Sequence, residues 1–386
     1  MKYWYFSECA YPYLPPEEEY DSIRVTLPNG YMDPVKAADL WHRYIDEWQA
    51  AEGYGLGLMI NEHHSTATCA NPSAPIIAGI LARATTTARI LILGNPIANR
   101  PDPVRVAEEM ALIDVISRGR LECGFVRGVP YEISATNTYP IDMSARFWEA
   151  HDLILKAWTT HDGPFSWTGK FFEHRQVNIW PRPYQQPRPP VWVTTTTPSG
   201  SAKIAEHGHT HATFLVGKNM ARTIFGNYRT RRKEMGLETS VDKLAYCGLV
   251  FVADSEEAAR KGSQELMWYA TANKVKAPFQ VPSGYMPPEA RLRMLAGDAR
   301  DPNALKAFSQ DELIDQAIMF SGTPDQVYNQ IKTFYDYVGG FGNLLIMGQA
   351  GFLGHKQTVR SMQLFSESVA PRLDILHPGI PQRLSA

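Results

Sequence analysis

At 386 residues the chain has room for two or three ordinary domains or for one (β/α)8 barrel. Hydrophobic residues at 44%, charged residues at 20% and a net charge of −2 describe a globular protein with a large core, and they exclude a disordered chain or one built to grip nucleic acid. No apolar run approaches the ~18 residues that span a bilayer, and the opening MKYWYFSECAYPY lacks a signal peptide's apolar stretch, so a cytoplasmic protein with no membrane contact is expected.

The elements alternate along the chain. Residues 3–6 read as a strand, and residues 37–52 as a helix with Ala38, Trp41, Tyr44, Ile45 and Trp48 at helical spacing. GLMI (57–60) is a second strand, 76–85 a helix, and ILILG (90–94) a third strand. Val106, Met110, Ile113 and Ile116 mark one face of a helix over 104–117. Strand four is LECGF (121–125). Ser144 is placed to cap a helix over 145–158, whose buried stripe would be Phe147, Ala150, Ile154 and Ala157. Strands five to eight follow at 191–194, 212–215, 244–253 and 343–347, with helices at 199–207 and from strand six to about Met235.

Eight strands alternating with helices predict a parallel sheet with right-handed crossovers, and eight such units favour a closed (β/α)8 TIM barrel in one domain over 1–386. Catalytic groups then belong at the strands' carboxyl ends. Three segments exceed simple connections. Residues 7–33 and 261–316 read as lid-like insertions, the latter broken by PSGYMPP; 165–190, with WPRPYQQPRPP, reads as an extended crossing to strand five. Cys9, Cys69, Cys123 and Cys247 keep no zinc spacing and are expected to be reduced, mostly buried thiols.

The stretch INEHHST (60–66) places Glu62, His63 and His64 where strand two ends. A metal site, an acid/base site and a polar strand end compete for it. The histidines of HGHTH (His207, His209, His211) offer further metal ligands, but they fall at a helix end and before strand six, and no metal is expected. Arg127 follows strand four and Arg146 opens the next helix. Guanidinium groups suit phosphate, and TTTTPSG (194–200) is a hydroxyl-rich turn entering a helix, whose free N–H groups also suit an anion.

The order and spacing of these motifs resemble the bacterial luciferase-like flavin monooxygenases. The resemblance rests on NEHH, on the run ILARATTTARILILGNPIANRPDPVRVAEEMALIDVISRGRLECGFVRGV, on Arg146, on PPVWVTTTTPSGSAKIAEHG and on SGTPDQVYNQIKTFYD, and it covers most of residues 1–370. It implies a TIM barrel, usually dimeric, that binds reduced FMN (FMNH2) and activates O2 as a flavin C4a-(hydro)peroxide to oxygenate a small organic substrate. By the resemblance, Arg127, Arg146, Thr196, Thr197 and Gly200 hold the FMN phosphate, with Ser199 in the same helix start. Gly94 and Asn95 lie at the ring, where relatives carry a cis peptide; Asn95-Pro96 is the bond expected to adopt it. Val126 stands where luciferase has a cysteine beside the ring, Phe6 is expected on the barrel floor, and Glu62 contacts flavin through its backbone or positions its loop. His63 is the expected acid/base group, histidine being the side chain that changes charge near neutral pH. Tyr131, Tyr139 and His64 are expected around the substrate.

No GxGxxG follows a strand, so a separate NAD(P)H:flavin reductase is the expected partner. The rival readings are a deazaflavin-dependent oxidoreductase on the same scaffold, a non-catalytic flavin-binding protein and a metal-dependent barrel hydrolase.

Overall fold

Apolar residues run almost unbroken through the strands, as they must when both faces of a parallel sheet are covered. In the computed structural model, which describes residues 1–272, 274–286, 288–295 and 308–376, the strands are β1 (Lys2–Ser7), β2 (Gly57–Ile60), β3 (Ile90–Asn95), β4 (Leu121–Phe125), β5 (Phe165–Thr168), β6 (Glu173–Val177), β7 (Val191–Thr194), β8 (Thr210–Phe214), β9 (Leu244–Val252), β10 (Met319–Gly322) and β11 (Asn343–Gln349). The neighbours run β1-β2-β3-β4-β7-β8-β9-β11 and β11 returns to β1, all parallel, which closes an eight-stranded barrel. Helices α1 (Pro34–Gly53), α2 (Ala74–Ala84), α3 (Pro103–Ile116), α4 (Met143–Thr159), α5 (Pro198–His207), α6 (Lys218–Glu234), α7 (Glu256–Thr271), α8 (Ala277–Gln280), α9 (Pro288–Leu295), α10 (Gln310–Asp315), α11 (Pro324–Val338), α12 (His355–Leu364) and α13 (Ala370–Asp374) complete the described elements.

Side chains sort by strand period. Trp4, Phe6, Met59, Leu91, Leu93, Trp192, Ala212, Cys247 and Leu345 fill the barrel, whereas Tyr5, Leu58, Ile92 and Phe125 pack outward with the helices. At the amino-terminal end Trp4 meets Trp192 edge to face at 5.5 Å, and the Trp192 indole donates to Glu122, which pairs with Arg89. This end is plugged, so the open chemistry lies at the carboxyl ends. Phe6 sits one inward position above Trp4 and is 1% exposed.

The α4 stripe of Phe147, Ala150, Ile154 and Ala157 is buried as the spacing predicts. Its cap differs: α4 starts at Met143, with Asp142 in the cap position and no side-chain cap, because the 3-10 turn Pro140–Asp142 runs straight into the helix. The segment 165–190 is not simply extended. β5 and β6 form an antiparallel hairpin before the chain crosses to β7. An additional strand escaped the pattern: β10 pairs with the far half of the nine-residue β9, beyond the part paired with β8. Of the two insertions, 7–33 is tied down by a bridge between Arg24 and Thr66. Segment 261–316 contributes α8, α9, α10 and the end of α7, while 273, 287 and 296–307 lie outside the described residues, as do 377–386 of the expected domain. All four cysteines are buried free thiols. No described helix is long and apolar enough to cross a membrane.

Candidate active site

The loops after β1, β2 and β4 bring a buried polar cluster to the barrel's carboxyl mouth. His63 follows β2, and its Nδ1 lies 2.8 Å from Oε1 of Glu132, a residue of the turn Pro130–Glu132 after β4. The same oxygen accepts the His64 backbone N–H at 3.0 Å. Burial pushes the Glu132 carboxyl up, but His63 and the His64 N–H outweigh it and hold it below the usual carboxylate range. An ionised carboxylate only accepts, so His63 Nδ1 donates and Nε2 is the nitrogen left for chemistry. The His63 side chain keeps 16% of its surface exposed, enough to meet a ligand.

Glu62 has a different task. Its carboxylate accepts two bonds from Arg100 at 2.7 Å each, one from the Ala74 backbone N–H at 3.0 Å, and faces His64 Nε2 at 3.0 Å. It clamps the loop after β2 to α2 and to the loop after β3. The hydrogen bond to Glu62 raises the His64 pKa, against the opposing effect of burial.

Three residues that the sequence reading did not single out complete the cluster. Glu8, directly after β1, is 2% exposed and accepts from Asn61 at 2.9 Å. Burial raises its pKa, with His63, Asn61 and Arg24 pulling the other way. Tyr269 of α7 hydrogen-bonds Glu8 as well, so an insertion reaches the site. Glu132 is the third. Arg24, from the other insertion, is 1% exposed and lies 4.4 Å over the Tyr131 ring, whose centroid is 6.4 Å from that of His63. Tyr139, by contrast, is 76% exposed.

The β3 end has its own features. Asn95 is fully buried, and neither its amide nitrogen nor its oxygen has a partner. A buried amide left unpaired costs ~1–3 kcal/mol; Asn95 pairs with the outward-packing Phe125, which sets its side chain on the helix-facing side of β3. The cis peptide is Leu93-Gly94, two bonds before the expected Asn95-Pro96. Gly94 is required by close approach: a Cβ there would fall 2.0 Å from Val126 Cγ1.

Phosphate-type groups gather elsewhere on the rim. Thr197 caps α5, accepting from the Gly200 N–H at 3.3 Å, and it bonds Thr195 at 3.1 Å. Thr196, Thr197 and Ser199 are exposed at this helix start, and a Cβ at Gly200 would meet Thr195 Oγ1 at 2.5 Å. Arg127 lies 4.2 Å over the Tyr285 ring. Arg146 is occupied otherwise: Nε and Nη2 donate to the carbonyls of Ala98 and Arg100 at 2.9 and 3.0 Å, and the guanidinium covers Phe172 at 4.3 Å. It fastens the loop after β3. The hydroxyl-rich α5 start and a half-buried arginine on the same rim fit a phosphate.

Residues 25–340 match the family described as luciferase-like monooxygenase. The chain belongs to this family. Among curated relatives, the oxygenase component of the flavin-dependent trigonelline monooxygenase of Acinetobacter baylyi is 26% identical over 61% of this chain and 65% of that protein. The 4-hydroxyprotoasukamycin monooxygenase of Streptomyces nodosus subsp. asukaensis is 25% identical over 85% of each chain. For two of the curated relatives the matched stretch spans only 42% and 65% of their length. A solved structure, the oxygenating constituent of 3,6-diketocamphane monooxygenase from Pseudomonas putida in complex with FMN, superposes with a TM-score of 0.71 at 18% identity, covering 96% of this chain and 98% of that one. At that identity the likeness speaks for the luciferase-like barrel fold alone.

The HGHTH histidines divide. His211 packs between Ser201 and Tyr228, whereas His207 and His209 meet His151 of α4. His209 and His211 share the helix-facing side but lie two residues apart along the strand, so His211 reaches Ser201 and Tyr228 while His209 reaches His151.

Proposed function

We propose that the chain is the oxygenase component of a two-component monooxygenase that uses FMNH2 and O2 to oxygenate a small organic substrate. The observation that carries this reading is the His63–Glu132 pair at the barrel mouth, where Glu132 engages His63 Nδ1 and leaves Nε2 for a proton. Arg127, Thr196, Thr197, Ser199 and Gly200 would hold the phosphate, and Gly94 and Val126 would line the ring. Reduced flavin, when bound, supplies the electrons for oxygen chemistry. His63 Nε2 then holds or moves a proton while Glu132 fixes the imidazole. Arg24 and Tyr131 wall the substrate space and keep water from it. The absence of a GxGxxG after a strand, and the printed name of the Acinetobacter relative, support a separate reductase.

A homodimer is part of the proposal. Ile76 and Ile80 of α2 and Leu112, Val115 and Ile116 of α3 are 36–65% exposed on two helices that pack side by side. Leu112→Glu would then convert the dimer to a monomer in sedimentation; an unchanged mass would place the interface elsewhere.

The test is anaerobic titration with FMNH2 and with a reduced deazaflavin, followed by oxygen. Tighter binding of FMNH2 and oxygen uptake that depends on the protein are expected. Preference for the deazaflavin, with hydride transfer and no oxygen uptake, would replace this reading with the rival on the same scaffold.

A further inference from the structure

Outside the barrel, at the end opposite the mouth, three histidines converge. His151 is in the middle of α4, His207 is the last residue of α5, and His209 directly precedes β8. One ring nitrogen from each lies within 4.8 Å of the others. His151 Nε2 and His209 Nε2 face each other at 2.7 Å. His207 stacks over His209 with centroids 5.6 Å apart, and Trp148 stacks at 4.4 Å on His207. His151 and His209 are 1% and 4% exposed, and His207 is exposed and opens the group to solvent.

We propose that His151, His207 and His209 form a binding site for a divalent transition metal of the zinc class, separate from the monooxygenase centre. Imidazole nitrogens suit zinc, copper and nickel, and three of them leave a fourth position for water. The orienting group is present: His151 Nδ1 donates to Asp152 Oδ1 at 2.8 Å, which turns Nε2 toward the other rings, the arrangement in which a carboxylate steadies a metal-bound histidine. Gly208, at φ +67°, reverses the chain between the other two ligands and brings both to one side. A tetrahedral ion with bonds of about 2.1 Å needs its nitrogens about 3.4 Å apart. Binding an ion would require the 2.7 Å pair to open to that spacing. The charged groups that act on the site are Asp152 and Glu206 on one side of the balance and Lys203, Arg188 and Lys243 on the other. A bound ion would fasten α4 to the end of α5 whose other end carries the phosphate-type turn.

The experiment uses untagged full-length protein stripped with a chelator and titrated with ZnCl2 in a calorimeter. One equivalent per chain is expected, together with a rise in Tm. His207→Ala, at an exposed position, should weaken binding at least tenfold and abolish the Tm rise. Asp152→Asn keeps all three ligands and should weaken it about tenfold. Neither should alter FMN affinity, so the test stands apart from the flavin reading. Folded wild-type protein with no saturable Zn2+ binding, or binding unchanged in both variants, would overturn the proposal.

Discussion

His63 Nδ1 and Glu132 Oε1 stand 2.8 Å apart and join the loop after β2 to the loop after β4. The bond sets the ring's tautomer; under the proposed function Glu132 positions the ring and His63 Nε2 handles the proton. Glu132→Gln should leave FMN affinity within about twofold and lower product per flavin oxidised about tenfold, and His63→Ala should lower it by roughly a hundredfold. Product yield and hydrogen peroxide release are the measurements. Unchanged coupling in His63→Ala would remove it from the chemistry.

Gly94 and Val126 make a second testable pair. With a Cβ built 2.0 Å from Val126 Cγ1, Gly94→Ala should cost about 1–3 kcal/mol in denaturant unfolding. Val126→Ala should relieve much of that in the double variant, a coupling that a thermodynamic cycle measures. Additive losses would mean the two side chains do not compete for that space.

The two arginines should separate cleanly. Arg127→Ala should weaken FMN binding by roughly ten- to a hundredfold, the scale of one charged hydrogen bond to phosphate, with little change in Tm. Arg146→Ala should chiefly lower stability, because it removes the donors to Ala98 and Arg100 and leaves those carbonyls without them. Calorimetry and fluorescence titration of both variants distinguish the roles; a stable Arg146→Ala protein that no longer binds FMN would return Arg146 to the phosphate.

His64 carries a pH signature. Its hydrogen bond to Glu62 raises its pKa, against burial. A base that binds its proton more tightly when folded contributes fully below its unfolded value of about 6.5, and the contribution fades as pH rises through the folded value. The Tm difference between wild type and His64→Gln should therefore be largest below about pH 6.5 and shrink on the alkaline side. Partial exposure keeps the effect to about 1 kcal/mol or less. A difference that grows with pH would contradict the sign.

The barrel was legible because each strand is an apolar run and each helix a periodic one, and because the closing pair β1–β11 needs no more than two such runs. His63 was legible because a titratable group ended a buried strand. Glu8 gave the same signal after Ser7, in FSECAY, and the reading stopped one strand residue short of it. Glu132 and Tyr269 reach the site from an irregular loop and the end of a helix, where no period announces direction, so tertiary contact alone places them. The same holds for His151: its partners are 56 and 58 residues away in sequence, beyond the reach of any spacing rule.

Oxygen chemistry on FMNH2 at the barrel mouth should show in the flavin spectrum itself. The most direct measurement is rapid mixing of the anaerobic protein–FMNH2 complex with oxygenated buffer while the flavin spectrum is recorded. The account predicts a slowly decaying species distinct from both reduced and oxidised FMN, shortened in His63→Ala. Oxidation along the same time course as free FMNH2 would contradict it.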